Sequence, residues 1–177
     1  MKIHVSESVP LSADEVFHLL RDDMPKLVPY LYDVERIDVV ERREDGDRTH
    51  IVNLWFGDMS KVPGPVRTFV KPELISWKDH ATWTTSSKTA TWRLEPRIGA
   101  RAFDCNGTTR ILSNSASATL AMDIDLEIHP ENVPGVPRLL ANRFRGQIEE
   151  AIAKQITPNL KNLAVSIRRY AEARGKG

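Results

Sequence analysis

The chemistry in this chain concentrates on one stretch, Glu73 to Thr84. Ile75, Trp77, Ala81 and Trp83 share a parity there, and Asp79 shares it with them. Successive side chains of a strand point to opposite faces, so an apolar parity marks the buried face and puts the Asp79 carboxylate on it. A carboxylate in that position needs a cationic partner or a raised pKa. Glu7 repeats the pattern among Ile3, Val5 and Val9. Two readings follow for both residues: a ligand-orienting or acid/base group, or a structural one, as an ion pair with an inward Arg or Lys or a position at the open end of the sheet. Trp77, Trp83 and Trp92 are similarly open, as an aromatic cavity wall or as plain core.

Other routes to chemistry find little support. The chain has no G-x-S-x-G nucleophile elbow and no glycine-rich phosphate loop. Its single cysteine, Cys105, sits in an alternating segment beside Phe103 and Asp104 and reads as a small buried hydrophobe. The histidines, His4, His18, His50, His80 and His129, lack metal-ligand spacing, although His50 and His80 fall on strands that could meet. Asp123, Asp125 and Glu127 alternate with Met122, Ile124 and Leu126, which puts the three acids on a solvated face. No metal and no cofactor are expected.

The elements that must position Asp79 are legible as a change of period. Ile3, Val5 and Val9 form a first strand. Ser12 and Glu15 make an S-x-x-E capping box that starts a helix carrying Val16, Phe17, Leu19 and Leu20. Pro25 opens a second short helix, which Pro29 makes irregular. From Asp33 the period becomes two. A strand to about Arg43, a turn at Glu44-Asp45-Gly46-Asp47 and a return strand Thr49 to Phe56 read as a hairpin. Strands follow at Glu73–Thr84, Thr89–Glu95, Arg101–Asn114 and Ser115–Ile128, with a bulge or bend expected at Asn106-Gly107. Ile148, Ile152, Ile156, Leu160, Leu163, Ile167 and Tyr170 then recur at helical spacing, interrupted at Pro158.

The chain has 177 residues, of which 41% are hydrophobic and 28% charged, enough for one domain with a substantial core. Residues 1–177 are therefore read as a single unit. Lys plus Arg (25) nearly balances Asp plus Glu (24), which argues against a nucleic-acid binder. The first residues lack the apolar run of a signal peptide, and no stretch approaches the roughly 20 apolar residues of a membrane span. With one cysteine, a reducing cytoplasm is the expected compartment.

One strand, two short helices, six further strands and one long helix describe an α+β helix-grip arrangement. In it, a seven-stranded curved antiparallel sheet wraps a long C-terminal helix, with two short helices between strands 1 and 2. In that order, in the opening Pro10-Leu-Ser-Ala-Asp-Glu-Val-Phe17, and in the closing amphipathic Gln147–Tyr170, the chain resembles the START-like superfamily. That superfamily includes the Bet v 1 allergens, polyketide cyclases and lipid-transfer proteins. The segment Val62-Pro-Gly-Pro-Val-Arg-Thr-Phe-Val70 followed by Trp77 also resembles a loop and strand of the PRELI-like phospholipid transfer proteins and bacterial relatives.

The resemblance implies an internal cavity for an apolar or amphipathic molecule. The expected lining is Trp77, Asp79, Trp83 and Trp92 from the middle strands, Phe103, Leu120, Met122 and Ile124 from the last two, and Phe144, Ile148, Ile152 and Gln155 from the helix. The expected function is binding or transfer of a lipid or other hydrophobic small molecule. The alternative is a cyclase or dehydratase acting on an apolar, polyketide-like substrate, with Asp79 or Glu7 as acid/base. Lys61, Arg67, Lys71, Arg138, Arg143 and Arg145 flank the expected entrance loops. They leave room for transient contact with an anionic membrane, with solvated charge as the default. The oligomeric state is left open.

Overall fold

The structure is a computed structural model that describes residues 1–61, 72–98, 101, 103–132, 143 and 145–175, with the side chains of 74, 130, 147–149 and 151–161 left undescribed. The PRELI-like segment and Phe144 therefore lie outside the described residues, as do the side chains of Ile148, Ile152 and Gln155. Seven antiparallel strands form one sheet: β1 (Lys2–Val9), β2 (Val34–Asp45), β3 (Arg48–Gly57), β4 (Ser76–Thr84), β5 (Thr89–Pro96), β6 (Phe103–Asn114) and β7 (Ser117–Ile128). Their order is β1-β7-β6-β5-β4-β3-β2, so the six strands β2 to β7 lie side by side in chain order and β1 forms the edge beside β7. Helix α1 (Ala13–Asp22) and a 3-10 segment (Met24–Tyr30) separate β1 from β2, and helix α2 (Arg145–Arg174) ends the chain.

Local chemistry accounts for the boundaries. The Ser12 hydroxyl accepts from Glu15 N–H, and the Glu15 carboxylate accepts from Ser12 N–H at 3.0 Å, so the capping box forms as its spacing requires. Those hydrogen bonds hold the Glu15 carboxyl below its ordinary pKa. Pro29 cannot donate a backbone hydrogen bond, and the segment around it is 3-10 rather than α. At the β2–β3 turn Gly46 takes φ +57°, the left-handed conformation that its Asp-Gly signal anticipates.

Three details differ from the sequence expectation. Glu73–Ile75 belong to a 3-10 turn (Pro72–Ile75), so β4 begins only at Ser76. β7 begins at Ser117, because Ser115 and Ala116 form the turn after β6. Asn106-Gly107 is not a bulge: β6 keeps its register against both β5 and β7 through these residues. Gly107 serves a close approach instead. A Cβ there would lie 2.7 Å from Trp92 Cζ2 and 2.5 Å from the Asp123 carbonyl oxygen. The register irregularities fall in β2, at Val34/Arg36 and Val39/Glu41.

The core lies on the concave face. Val16, Phe17, Leu19 and Leu20 of α1 are buried with Leu120, Met122, Ile124 and Leu126 of β7. Phe17 meets Trp83 edge-on, with ring centroids 5.5 Å apart. Ion pairs then fasten α1 outward: Arg21 and Arg42 both reach Asp22, at 2.8 and 2.9 Å. Burial works against the Asp22 charge, but hydrogen bonds from Arg21, His18 and Arg42 outweigh it and hold this carboxyl far below the usual carboxylate range. The second half of α2 buries Ala164 and Ile167. It is tied down by Arg168, which donates to the Ser8 carbonyl at 2.8 Å, and by Ser166, whose hydroxyl lies 3.1 Å from the Tyr30 carbonyl.

Candidate functional site

Beyond the reach of α1, the concave face changes character. The register sets Asn53 of β3 opposite Asp79 of β4, and Asp79 opposite Leu94 of β5. One step along, Trp55 stands opposite Trp77. Directly opposed antiparallel residues bring their side chains into contact, and here the two indoles stack, 5.7 Å apart and 19° from parallel. All four residues share the parity of Ile51, Ala81 and Trp83, which are core residues.

The polar atoms of this cluster are shut off from solvent and incompletely satisfied. Among the described residues, Asn53 Oδ1, Trp55 Nε1 and Asp79 Oδ1 have no hydrogen-bond partner. Asn53 is only 3% exposed. Burial raises the Asp79 pKa to about 7, and a side-chain hydrogen bond from Asn53 pulls weakly the other way. An unpaired buried polar atom costs roughly 1–3 kcal/mol, so three in one patch are expensive unless something else supplies the partners. Trp92 shows the ordinary arrangement by contrast: its Nε1–H donates to Thr109 Oγ1 at 3.0 Å.

The remaining candidates separate from this patch. Glu7 has the inward parity but pairs with Arg168 of α2 at 3.3 Å and remains exposed, so the structure places it in an ion pair on the edge strand and not beside Asp79. Of the two readings of Glu7, the ion pair with a basic residue is the one this geometry matches. Trp83 is occupied by Phe17, and Leu120, Met122 and Ile124 are buried in the core with α1. Phe103 and Trp92 are half-buried against that core. Asn53 and Trp55 were not among the candidates. Their signal was available: both share the parity of Ile51, which is the argument that singled out Asp79 one strand away.

Cys105, beside Leu94 in the register, is buried, and its thiol is pushed up to about 12 by burial and by the charges of Asp125 and Asp79. It stays protonated and is a poor nucleophile. Among the described residues no group of three or more His, Cys, Asp or Glu is placed to hold a metal ion. The open groove on the convex face is lined by Arg43, His50, His80, Thr82 and Arg93, among others. Several of its polar side chains are engaged: His50 with Thr82 at 3.0 Å, and His80 and Arg93 with the neighbouring Glu95 at 2.9 and 3.4 Å. Of the basic residues near the expected entrances, Lys61 lies over the Tyr32 ring and Arg145 pairs with Glu131, whereas Arg67, Lys71 and Arg138 are outside the described residues. Among the described residues, no helix is long and apolar enough to cross a membrane.

The arrangement is a START/Bet v 1-like helix-grip fold, and comparison with solved structures agrees. A protein of Thermus thermophilus superposes with a TM-score of 0.68 at 19% identity, over 98% of this chain and 99% of that one. The Zhui aromatase/cyclase of a Streptomyces species gives 0.62 at 14% identity, over 98% and 94%. Norcoclaurine synthase from Thalictrum flavum gives 0.56 at 16% identity, over 97% and 86%. No family model and no curated protein matches the sequence.

Proposed function

We propose that the chain binds a hydrophobic small molecule against its concave face, with the Trp55–Trp77 pair as the apolar shelf and Asn53 and Asp79 as the polar end. The observation that carries this reading is the set of three buried atoms without partners beside two stacked indoles. A ligand would supply what the protein leaves unpaired. Burying about 300 Å² of apolar ligand surface contributes about 7 kcal/mol before entropy losses, so the polar end must add to it for binding to reach the micromolar range. The test is mass spectrometry of organic extracts of the purified protein beside a control protein handled identically. A stoichiometric apolar species is expected. An empty extract, together with no quenching of tryptophan fluorescence by added aromatic compounds, would overturn the reading.

A second reading has its own support. A carboxyl that titrates at about 7 can hold or accept a proton near neutral pH, which is what acid/base catalysis requires. Two of the similarly folded proteins are named as an aromatase/cyclase and a synthase. Under this reading Asp79 moves a proton on the ligand it orients. Ligand binding retained in Asp79→Asn, with conversion of the bound compound lost, would favour it. Binding without conversion in the native protein would leave the binding reading alone standing.

A further inference from the structure

The convex face carries a concavity of its own, on the side of the sheet away from the site proposed above. This groove of about 540 Å³ crosses β2 to β5, and its lining includes Glu41, Arg43, His50, His80, Thr91 and Arg93. The register puts one basic group on each strand: Arg43 stands opposite His50, and His80 opposite Arg93 on the adjacent row. Neighbouring strands lie about 4.8 Å apart, so the basic groups span about 14 Å. Arg43 reaches this face through the irregularity at Val39/Glu41. Before it, Ile37 and Val39 stand opposite Trp55 and Asn53 of the concave face; after it, Arg43, of the same odd parity, stands opposite His50. Re-aiming a side chain is what a bulge does beside a functional site.

Donors dominate the lining. His50 engages Thr82 through Nδ1 and His80 engages Glu95 through Nε2, and among the described residues their other ring nitrogens have no partner. Arg93 gives one N–H to Glu95, and Arg43 makes an exposed ion pair with Asp45 at 3.9 Å, so each guanidinium keeps most of its five donors. Among the described residues, Glu41 is the acid that lines the groove. A metal cation is disfavoured, because each imidazole has an arginine directly beside it in the register. Guanidinium forks at both ends with imidazoles between them match two linked anionic groups. The charged groups around the imidazoles on this face are Glu41, Arg43, Asp45, Arg48, Lys78, Arg93 and Glu95. A neutral imidazole whose N–H serves Glu95 has no donor left for an anion, whereas an imidazolium serves both. We infer that the convex groove binds an anion of the diphosphate class between Arg43 and Arg93, and that His50 and His80 take up protons from solvent as it binds.

The test is isothermal titration calorimetry of the whole chain at pH 6 with pyrophosphate and inorganic phosphate. Pyrophosphate should bind about tenfold tighter than phosphate. Arg43→Gln and Arg93→Gln, both on exposed side chains, should each weaken it about tenfold, and Glu41→Gln should tighten it about threefold. Sulfate keeps its charge between pH 5.5 and pH 8, so its affinity reports the histidines. It should fall about tenfold as pH rises across that range, and the double variant His50→Gln, His80→Gln should flatten the profile. Phosphatidylcholine vesicles carrying a phosphoinositide bisphosphate separate the sources. Co-sedimentation that pyrophosphate abolishes supports the inference with a lipid headgroup as ligand, and pyrophosphate binding without co-sedimentation supports it with a soluble one. No binding of pyrophosphate by the native protein, or binding that both arginine variants leave unchanged, would overturn the inference. A sulfate affinity that is flat with pH would overturn the proton uptake. None of these results bears on the concave-face reading.

Discussion

The two ends of the concave face are built by opposite rules. At one end α1 fills the sheet: Phe17 is 2% exposed, it meets Trp83 edge-on, and the charges around Asp22 are paired with Arg21 and Arg42. At the other end Asn53, Trp55 and Asp79 keep polar atoms buried and unpaired beside a stacked indole pair. The same sheet supplies both, with Trp83 and Asp79 on one strand and one parity, only four residues apart. A purely structural core has no reason to carry the second arrangement, because leucine at position 53 or 79 would avoid the cost. The contrast separates an α1 end built for stability from a β3–β4 end on which the proposed binding rests.

Deleting the filled end should have the largest effect on folding. Phe17→Ala removes a fully buried ring from between α1 and Trp83, and such substitutions cost about 3–5 kcal/mol. Urea denaturation should show a lowered midpoint at unchanged slope. If the loss is below about 1 kcal/mol, α1 does not hold this end and the contrast collapses.

The Asp79 end should answer to pH instead. The folded chain keeps a proton on Asp79 up to about 7, whereas the unfolded chain releases it near 3.8. Between those values the folded state binds more protons, so stability falls as pH rises through the window and levels off above it. A shift from 3.8 to about 7 corresponds to about 4 kcal/mol across that window. Asp79→Asn has no such proton to lose. Its stability relative to the native chain should therefore rise between pH 4.5 and pH 8, and taking this difference cancels the opposite slopes of depressed carboxylates such as Asp22 and Glu15. Parallel profiles for the two proteins would mean that Asp79 is ionised and satisfied, and the cluster would lose its central member.

How much of this was legible depends on whether the cause was local. The Ser12–Glu15 box, the Asp45-Gly46 turn and the alternation of β7 are written in neighbouring residues, and the elements follow them. Element order alone led to the helix-grip arrangement. Asp79 was legible because parity along one strand carries burial. Asn53 and Trp55 carried the same sign, but their meaning comes from the register that sets them opposite Asp79 and Trp77. Gly107 shows the limit from the other side. Its sequence context suggests a bend, whereas its cause is the Trp92 ring from the adjacent strand. Glu7 was indistinguishable from Asp79 by parity, because its partner Arg168 lies 161 residues away.

Glu7 therefore offers the sharpest control and the smallest effect. It shares the inward parity of Asp79 yet remains about half exposed, with its charge compensated by Arg168. An exposed pair of this kind contributes about 0.2–1 kcal/mol, and Arg168 keeps its hydrogen bond to the Ser8 carbonyl when the carboxylate is gone. Glu7→Gln should lower stability by less than about 1 kcal/mol, less still in high salt, and should leave quenching of tryptophan fluorescence by added aromatic compounds unchanged. The thermal midpoint and the quenching titration measure both. A large loss of quenching in Glu7→Gln would extend the proposed binding end across the sheet to the edge strand. The division between a filled end and a receptive end would then have to be redrawn around β1 and α2.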